Sequence, residues 1–245
     1  MAYRFSVAQW SAYAPELEQA TAWEAWAPRP FAPQGDAVPA LTEMPAMARR
    51  RLERLGRLAL QVAYRCQPEA KPEVPMVFAS RHGDISRTHD MLETLARDEP
   101  LSPTHFGLST HNAIAAQYSI AREITANYSV VAAGERSAEA GVMEAVGLLA
   151  DGAPEVLLVV YDQPPPAAYG EFADEVQSPY AWAWSLVPER TGLPCLSLDW
   201  RGDPPSDARS PLLPGGLQTL QFFLSRDTER VLSAANGAWH WQRHA

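Results

Sequence analysis

The sequence predicts an α/β protein, a single domain in which a layered mixed sheet is covered by helices. Predicted strands and helices alternate over the first 162 residues, which is typical of layered α/β folds. The segment "EVLLVVYD" (155–162) is a nearly continuous apolar run, as in strands that are covered on both faces. The chain of 245 residues is long enough to bury a substantial core, and it contains no internal repeat.

The first half of the chain is predicted to contain two strands and three helices. In order, they are a strand (3–10), a Pro- and Ala-rich loop (27–45), a helix (46–66), a strand (75–81), a helix (88–99), a loop (101–111) and a helix (112–124). In the helix over 46–66, apolar residues recur at helical spacing: Met47, Leu52, Leu55, Ala59, Val62, Ala63 and Cys66. Pro68 follows, so we expect this helix to end near Cys66. Thr110 or Asn112 is expected to cap the helix over 112–124.

The second half begins with a strand (128–133) and a helix from about residue 136 to 150. The apolar stripe of this helix consists of Ala138, Val142, Ala145, Val146 and Leu149. Gly152 should end it. After the strand over 155–162, the prolines of "QPPP" (163–166) interrupt the pattern. The remaining predicted elements are strands over 180–187 and 195–200, a loop (201–216), a helix (217–235) that can break near Asp227, and an edge strand (238–243).

Composition and charge exclude several classes of function. A net charge of −9 argues against a nucleic-acid-binding protein and against anionic membrane surfaces as partners. No apolar run approaches the ~20 residues of a membrane span, and no signal peptide is evident, so we expect a cytoplasmic protein. Cys66 and Cys195 lack metal-binding spacing and are interpreted as buried apolar side chains. We expect no metal and no cofactor.

The segment "SVVAAGERSAEAG" (129–141) predicts a strand that turns at Gly134 and continues as a helix. A helix N-terminus presents unpaired N–H groups and the positive end of the helix dipole, which favour an anion. Nucleophilic cysteines are often placed there because this setting lowers the pKa of a thiol. The turn carries Glu135 and no cysteine, and the simplest interpretation is an acid that stabilises the first turn of the helix by about 0.3–1 kcal/mol.

The segments "LSPTHFGLSTHNA" (101–113) and "SAEAGVMEAVGLLADG" (137–152) resemble the N-terminal half of β-ketoacyl synthases of the thiolase-like superfamily. The similarity is greatest to a short variety from aryl polyene gene clusters, and it extends over residues 46–162. It implies a thiolase-like half fold, in which 163–245 completes the domain (1–245) in a divergent way. Placing Ser137 on the family's serine puts Glu135 at the position of the nucleophilic cysteine. A shift of one residue would put Gly134 there.

The resemblance therefore implies a chain without catalytic residues, because neither Glu135 nor Gly134 can hold an acyl thioester. The His-containing motifs of the family's C-terminal half are also missing. Cysteine-free ketosynthases of this kind act as chain length factors, although those of aromatic polyketide systems usually carry Gln at this position. The implied partner is a full-length β-ketoacyl synthase in a heterodimer, with an acyl carrier protein as a further partner. The residues expected at the interface or acyl tunnel are Phe106, Asn112, Tyr118, Tyr128, Val130 and Ser137.

Three other interpretations remain at this stage. "VFASRHGDISR" (77–87) resembles the opening of the histidine phosphatases, with His82 of the Arg81-His82-Gly83 motif as nucleophile and Arg81 and Arg87 as phosphate clamps. The alternative is that His82 is a loop residue with local hydrogen bonds and no catalytic role. A serine hydrolase is disfavoured because no G-x-S-x-G motif is present. The chain could also be a small-molecule-binding domain without a protein partner. The paired tryptophans of "AWAWS" and "WHW" are interpreted as packing residues.

Overall fold

The computed structural model describes residues 3–202 and 212–244. The strands are β1 (Arg4–Tyr13), β2 (Met76–Ala79), β3 (Tyr128–Val131), β4 (Val156–Asp162), β5 (Tyr180–Pro188), β6 (Cys195–Arg201), β7 (Glu229–Ala234) and β8 (Gly237–His244). The α-helices are α1 (Ala20–Trp26), α2 (Ala46–Arg49), α3 (Arg54–Cys66), α4 (Ile85–Ala96), α5 (Pro103–Ser109), α6 (Ala113–Arg122), α7 (Ser137–Ala150) and α8 (Gly215–Leu224). A 3₁₀ helix covers Ala167–Phe172.

All eight strands form one mixed sheet in the order β3-β2-β4-β5-β1-β6-β8-β7. The first three strands of this order are parallel to each other, and every other neighbouring pair is antiparallel. The stretch after residue 162 therefore extends the same sheet through β5, β6, β7 and β8. The predicted α/β class with a layered, mixed sheet and covering helices is confirmed. None of the helices within 3–202 and 212–244 is long and apolar enough to span a bilayer.

The sheet has a hydrophobic core on each face, and β4 contributes to both. Val156, Leu158 and Val160 belong to the core that also contains side chains of α1, α7 and α8. Leu157, Val159 and Tyr161 belong to the core that contains side chains of α3 and α6. Alternate side chains of a strand point to opposite faces, so a strand covered on both sides must be apolar throughout. This explains the continuous apolar run over 155–162.

The helix predicted over 46–66 is interrupted. The α2 helix ends at Arg49, residues 50–53 are not helical, and α3 begins at Arg54 with Glu53 in extended conformation as its N-cap. The interruption changes the helical phase, so Met47 leaves the apolar face and is 74% exposed. The other six predicted core residues of this stretch are buried, and α3 ends at Cys66 as expected.

Three further predictions were wrong in type or position. Residues 103–109 form α5 rather than a loop, because Ser102 caps the helix by accepting from His105 N–H and Pro103 starts it. Residues 229–234 form β7 rather than the end of a helix, and a two-residue turn joins β7 to β8. The strand predicted at the edge, β8, lies between β6 and β7, which is itself the edge strand. The α1 helix was not predicted.

Candidate functional site

The turn between β3 and α7 is fixed by the side chain of Ser137. Its Oγ accepts a hydrogen bond from Ala133 N–H at 3.0 Å and donates one to the carbonyl of Gly134 at 2.8 Å. Gly134 has φ +59°, a left-handed conformation that costs glycine little and other residues more. The predicted strand, turn and helix are thus present, and positions 134 and 135 lie just before α7, whose predicted apolar stripe is buried.

Glu135 occupies this turn with a side chain that is 41% exposed. Its Oε1 lies 3.6 Å from Arg136 Nε, and the same nitrogen donates to the carbonyl of Ser233 in β7 at 2.7 Å. The carbonyl oxygen of Glu135 faces Gly215 at the start of α8 so closely that a Cβ on that glycine would overlap it. The turn is therefore held from behind by α8 and β7, while residues 132–134 are exposed.

The chain's two thiols lie on other elements. Cys66, at the end of α3, and Cys195, at the start of β6, are both free and buried, as predicted. Burial raises the pKa of Cys66 to about 12 and also raises the pKa of Cys195. Neither thiol is available as a thiolate near neutral pH, and a thiolate is the form that attacks an acyl donor.

One helical turn beyond Glu135, α7 carries a buried carboxyl group that the sequence analysis missed. Glu139 is fully buried and accepts a hydrogen bond from the Thr219 hydroxyl of α8. Burial raises the pKa of Glu139, and nearby Arg136 opposes that rise. The only sequence signal would have been an acid inside an otherwise apolar helix face. This contact joins α7 to α8 beneath the turn.

Among residues 3–202 and 212–244, no strand pairs with the outer edge of β3. Met76 N–H donates to Asn127 and Ser80 N–H donates to Val131, so the ladder to β2 uses alternate residues of β3. By this register, the N–H and C=O groups of Tyr128 and Val130 point to the free edge. The helices flanking β3 each expose a large apolar side chain, Ile120 of α6 (71%) and Met143 of α7 (39%). An unpaired strand with apolar neighbours can accept a strand from another chain.

The structure separates the remaining predicted interface residues. Phe106 on α5 is 63% exposed, and Asn112 is exposed at the N-cap position of α6, where its side chain makes no capping hydrogen bond. Tyr118, in contrast, is fully buried and packs edge-on against Tyr64 with ring centroids 5.2 Å apart. Tyr118 is therefore a core residue, whereas Phe106 and Asn112 lie on the solvent-exposed surface.

The phosphatase interpretation does not fit the geometry around His82. Arg81 forms ion pairs with Asp174 and Glu175. Arg87 is buried and forms ion pairs with Asp84 at 3.3 Å and Glu53 at 3.2 Å. Both guanidinium groups are thus directed at carboxylates, and they do not converge on a shared anion site beside His82. His82 follows β2 as an exposed loop residue, and partial desolvation lowers its pKa.

The tryptophan pairs pack as predicted. Trp182, Trp184 and Trp241 are fully buried, and Trp239 is partly buried against the same core. Within 3–202 and 212–244, no three His, Cys, Asp or Glu side chains are placed to hold a metal ion.

A family model described as "Beta-ketoacyl synthase, N-terminal domain" matches residues 23–242. A chain from the structure of a ketosynthase (ApeO) in complex with its chain length factor (ApeC) from Xenorhabdus doucetiae is 29% identical. The alignment covers 99% of this chain and 100% of that one, with a TM-score of 0.83.

Two further structures share the fold at lower identity. A chain of the ishigamide ketosynthase/chain length factor is 16% identical with a TM-score of 0.63, and the match covers 82% of this chain and 68% of that one. A chain of a type II PKS acyl-carrier protein in complex with its ketosynthase is 13% identical with a TM-score of 0.65, covering 83% and 71%. A comparison with curated protein sequences gives no significant match.

Proposed function

Because this chain belongs to the family of β-ketoacyl synthase N-terminal domains, we propose that it is a non-catalytic member that acts as a chain length factor. It pairs with a full-length, active β-ketoacyl synthase and helps to set the length of the acyl chain that this partner builds. The pathway class is type II polyketide or fatty-acid-like synthesis. The resemblance of "SAEAGVMEAVGLLADG" (137–152) to short chains of aryl polyene clusters favours an aryl polyene product.

The carboxylate of Glu135 at the turn between β3 and α7 carries the proposal. A condensing ketosynthase holds the growing chain as a thioester, and a carboxylate cannot form that bond. Placing Ser137 on the family's serine puts Glu135 in the nucleophile's place, and Gly134, the alternative under a shift of one residue, has no side chain that could hold an acyl group. Cys66 and Cys195 are buried on other elements and cannot substitute.

The lengths of the compared chains support a paired role. The alignment with a chain of the ApeO–ApeC complex covers nearly all of both chains, so the two are of nearly equal length. In contrast, the alignment with a ketosynthase of the bacillaene synthase covers 84% of this chain and 47% of that chain. A chain of this short type occurs in a structure whose description names a ketosynthase with its chain length factor.

The free edge of β3 supports a specific geometry for the pairing. A partner strand that adds to β3 would satisfy the outward N–H and C=O groups of Tyr128 and Val130. A two-fold or pseudo-two-fold arrangement would join the two sheets into one. The partner would then also cover Glu135 and the exposed residues 132–134. Phe106 and Asn112 are the residues of the α5–α6 surface that we place toward the partner's acyl tunnel.

Co-expression with the full-length ketosynthase of the same gene cluster tests the proposal. We expect the two chains to co-purify one to one. The variant Val130→Pro should prevent this, because proline removes a backbone N–H that points to the free edge. The hydrogen bonds between β3 and β2 use other residues of β3 and remain intact. The measurement is the ratio of the two chains after affinity purification and size-exclusion chromatography.

Val231→Pro is the matched control. Arg243 N–H donates to Thr228, and the register of β7 with β8 then turns the N–H of Val231 away from β8. Val231 is thus an outward-facing residue of the edge strand at the other end of the sheet. The variant Val231→Pro should still bind the ketosynthase. A monomeric wild-type chain that binds no ketosynthase, or a Val130→Pro variant that binds as well as Val231→Pro, would refute the proposed pairing.

A further inference from the structure

The outer edge of β3 determines the register in which another strand can add to it. The pairing of β3 with β2 turns the N–H and C=O groups of Tyr128 and Val130 outward. In an antiparallel pair with a two-fold axis, all of these groups find partners when Tyr128 of each strand lies opposite Val130 of the other. Ser129 then lies directly opposite the residue at the same place in the added strand, with Cα atoms about 4.5 Å apart.

The side chain of Ser129 holds a carboxylate above this edge. Its hydroxyl donates to Glu144 Oε1 of α7 at 2.7 Å. Glu144 is exposed, and it is the one charged residue that the helix over Ser137–Ala150 exposes, because Glu139 is buried. The α7 side of the β3 edge therefore carries a negative charge that is fixed over the centre of the strand.

The arginine beside β3 lies on the other face of the sheet and is already engaged. Arg122, in the last turn of α6, donates to the carbonyls of Gln67 at 2.6 Å and Pro68 at 3.0 Å. Side chains of α6 belong to the core opposite the one that contains side chains of α7. A two-fold pair through β3 would therefore bring Glu144 of one chain to the same face as Glu144 of the other, while Arg122 remains on the far side of both sheets.

We propose that Glu144 selects which chain adds to β3. A second copy of this chain would place its own Glu144 opposite, and like charges that face each other across an interface weaken it. A chain with a lysine or arginine at the corresponding place on the helix behind its edge strand would form an ion pair instead. Glu144 thus disfavours self-pairing and favours a basic partner. The inference rests on the β3 pairing of the proposed function and adds the charge that the partner carries.

A mixture of wild type with Glu144→Lys tests this selection without any ketosynthase. At low salt, the mixed pair should have a dissociation constant on the order of tenfold lower than that of the wild-type pair, because one of the two facing charges is reversed. The gain should shrink at about 1 M salt, where charges are screened beyond about 3 Å. Sedimentation equilibrium with one chain fluorescently labelled measures both dissociation constants.

Two variants are the controls for the mixture. Glu229→Lys makes the same change of charge at an exposed residue of β7, at the other end of the sheet, and should give no gain. Ser129→Ala removes the hydrogen bond to Glu144 but keeps the charge, and it should also give no gain. A mixed pair no tighter than the wild-type pair, including no association in either, would overturn the proposal, as would an equal gain with Glu229→Lys.

Binding of the full-length ketosynthase of the same gene cluster separates this inference from the proposed function. The ketosynthase should bind Glu144→Lys on the order of tenfold more weakly than wild type at low salt, and it should bind Glu229→Lys as well as wild type. A gain in the mixed pair without any ketosynthase binding would refute the proposed function and support the selection by Glu144. Equal binding of wild type and Glu144→Lys would support the function and refute the selection.

Discussion

At the scale of single residues, the turn before α7 provides a better setting for a reactive thiol than the positions of Cys66 and Cys195. Glu135 is partly exposed and lies next to the positive end of a 14-residue helix. Cys66 and Cys195 are buried, and burial raises the pKa of both. The surroundings of Glu135 are thus of the kind that lowers the pKa of a thiol, although its own side chain has no sulfur.

The variant Glu135→Cys should be alkylated rapidly by iodoacetamide at pH 7, because a helix N-terminus lowers the pKa of a thiol. Wild type is the control, and its two buried cysteines should remain unmodified over the same time. Intact-mass spectrometry measures both. Slow alkylation of Glu135→Cys in the lone chain would contradict an exposed position at the N-terminus of α7.

At the scale of elements, the contact of α7 with the sheet is unusually close at one point. A Cβ on Gly141 would lie 2.8 Å from the Cβ of Ala79 in β2 and 3.1 Å from a methyl group of Leu158 in β4. Gly147, in the same helix, is exposed and has open space around it. An added methyl group would therefore clash at Gly141 and would find room at Gly147.

Gly141→Ala should destabilise the fold by about 1–3 kcal/mol, because it forces α7 away from β2. Gly147→Ala should stabilise it by about 0.5–1 kcal/mol, because alanine loses less backbone entropy in a helix. Chemical denaturation measures both free energies of unfolding, and each variant is the control of the other. A stabilising Gly141→Ala would contradict the close packing of α7 on β2 and β4.

Element boundaries could be predicted where the signal is local. The stripe of α7 and its end before Gly152 follow from spacing and one glycine, and α3 ends where the prolines begin. The strand β7 could not be predicted from its own residues, since "ERVLSA" (229–234) also fits the end of a helix. Its pairing with β8 decided its conformation.

At the scale of the whole molecule, a basic segment stands out against a net charge of −9. Five arginines lie between residues 49 and 57. Arg87 of α4, which follows β2, binds the carbonyl of Arg51 and the carboxylate of Glu53. The basic segment is thereby held near the carboxyl end of the sheet, where the turn before α7 also lies. Within the described ranges, no carboxylate is within ion-pair distance of Arg50 or Arg51.

We expect this segment to attract an acidic acyl carrier protein, because opposite charges steer association. The double variant Arg50→Glu/Arg51→Glu should weaken carrier binding by the proposed heterodimer on the order of tenfold at low salt. Arg190→Glu/Arg226→Glu changes the net charge equally at two exposed arginines elsewhere and should have little effect. Titration with a fluorescent carrier protein measures the affinities, and equal weakening by both variants would exclude a specific role for the segment.

The sequence by itself determined the α/β class, the apolar run of β4 before Asp162, the α7 stripe and the turn that carries Glu135, because each depends on residues close together in the chain. Only the tertiary structure decided that Tyr118 lies in the core, that Met47 leaves it, and that β7 rather than β8 forms the edge. It also brought Asp162, Arg81 and Glu175 together from three separate segments. Burial and strand pairing arise from contacts between residues that are distant in the sequence, and local sequence patterns do not predict such contacts.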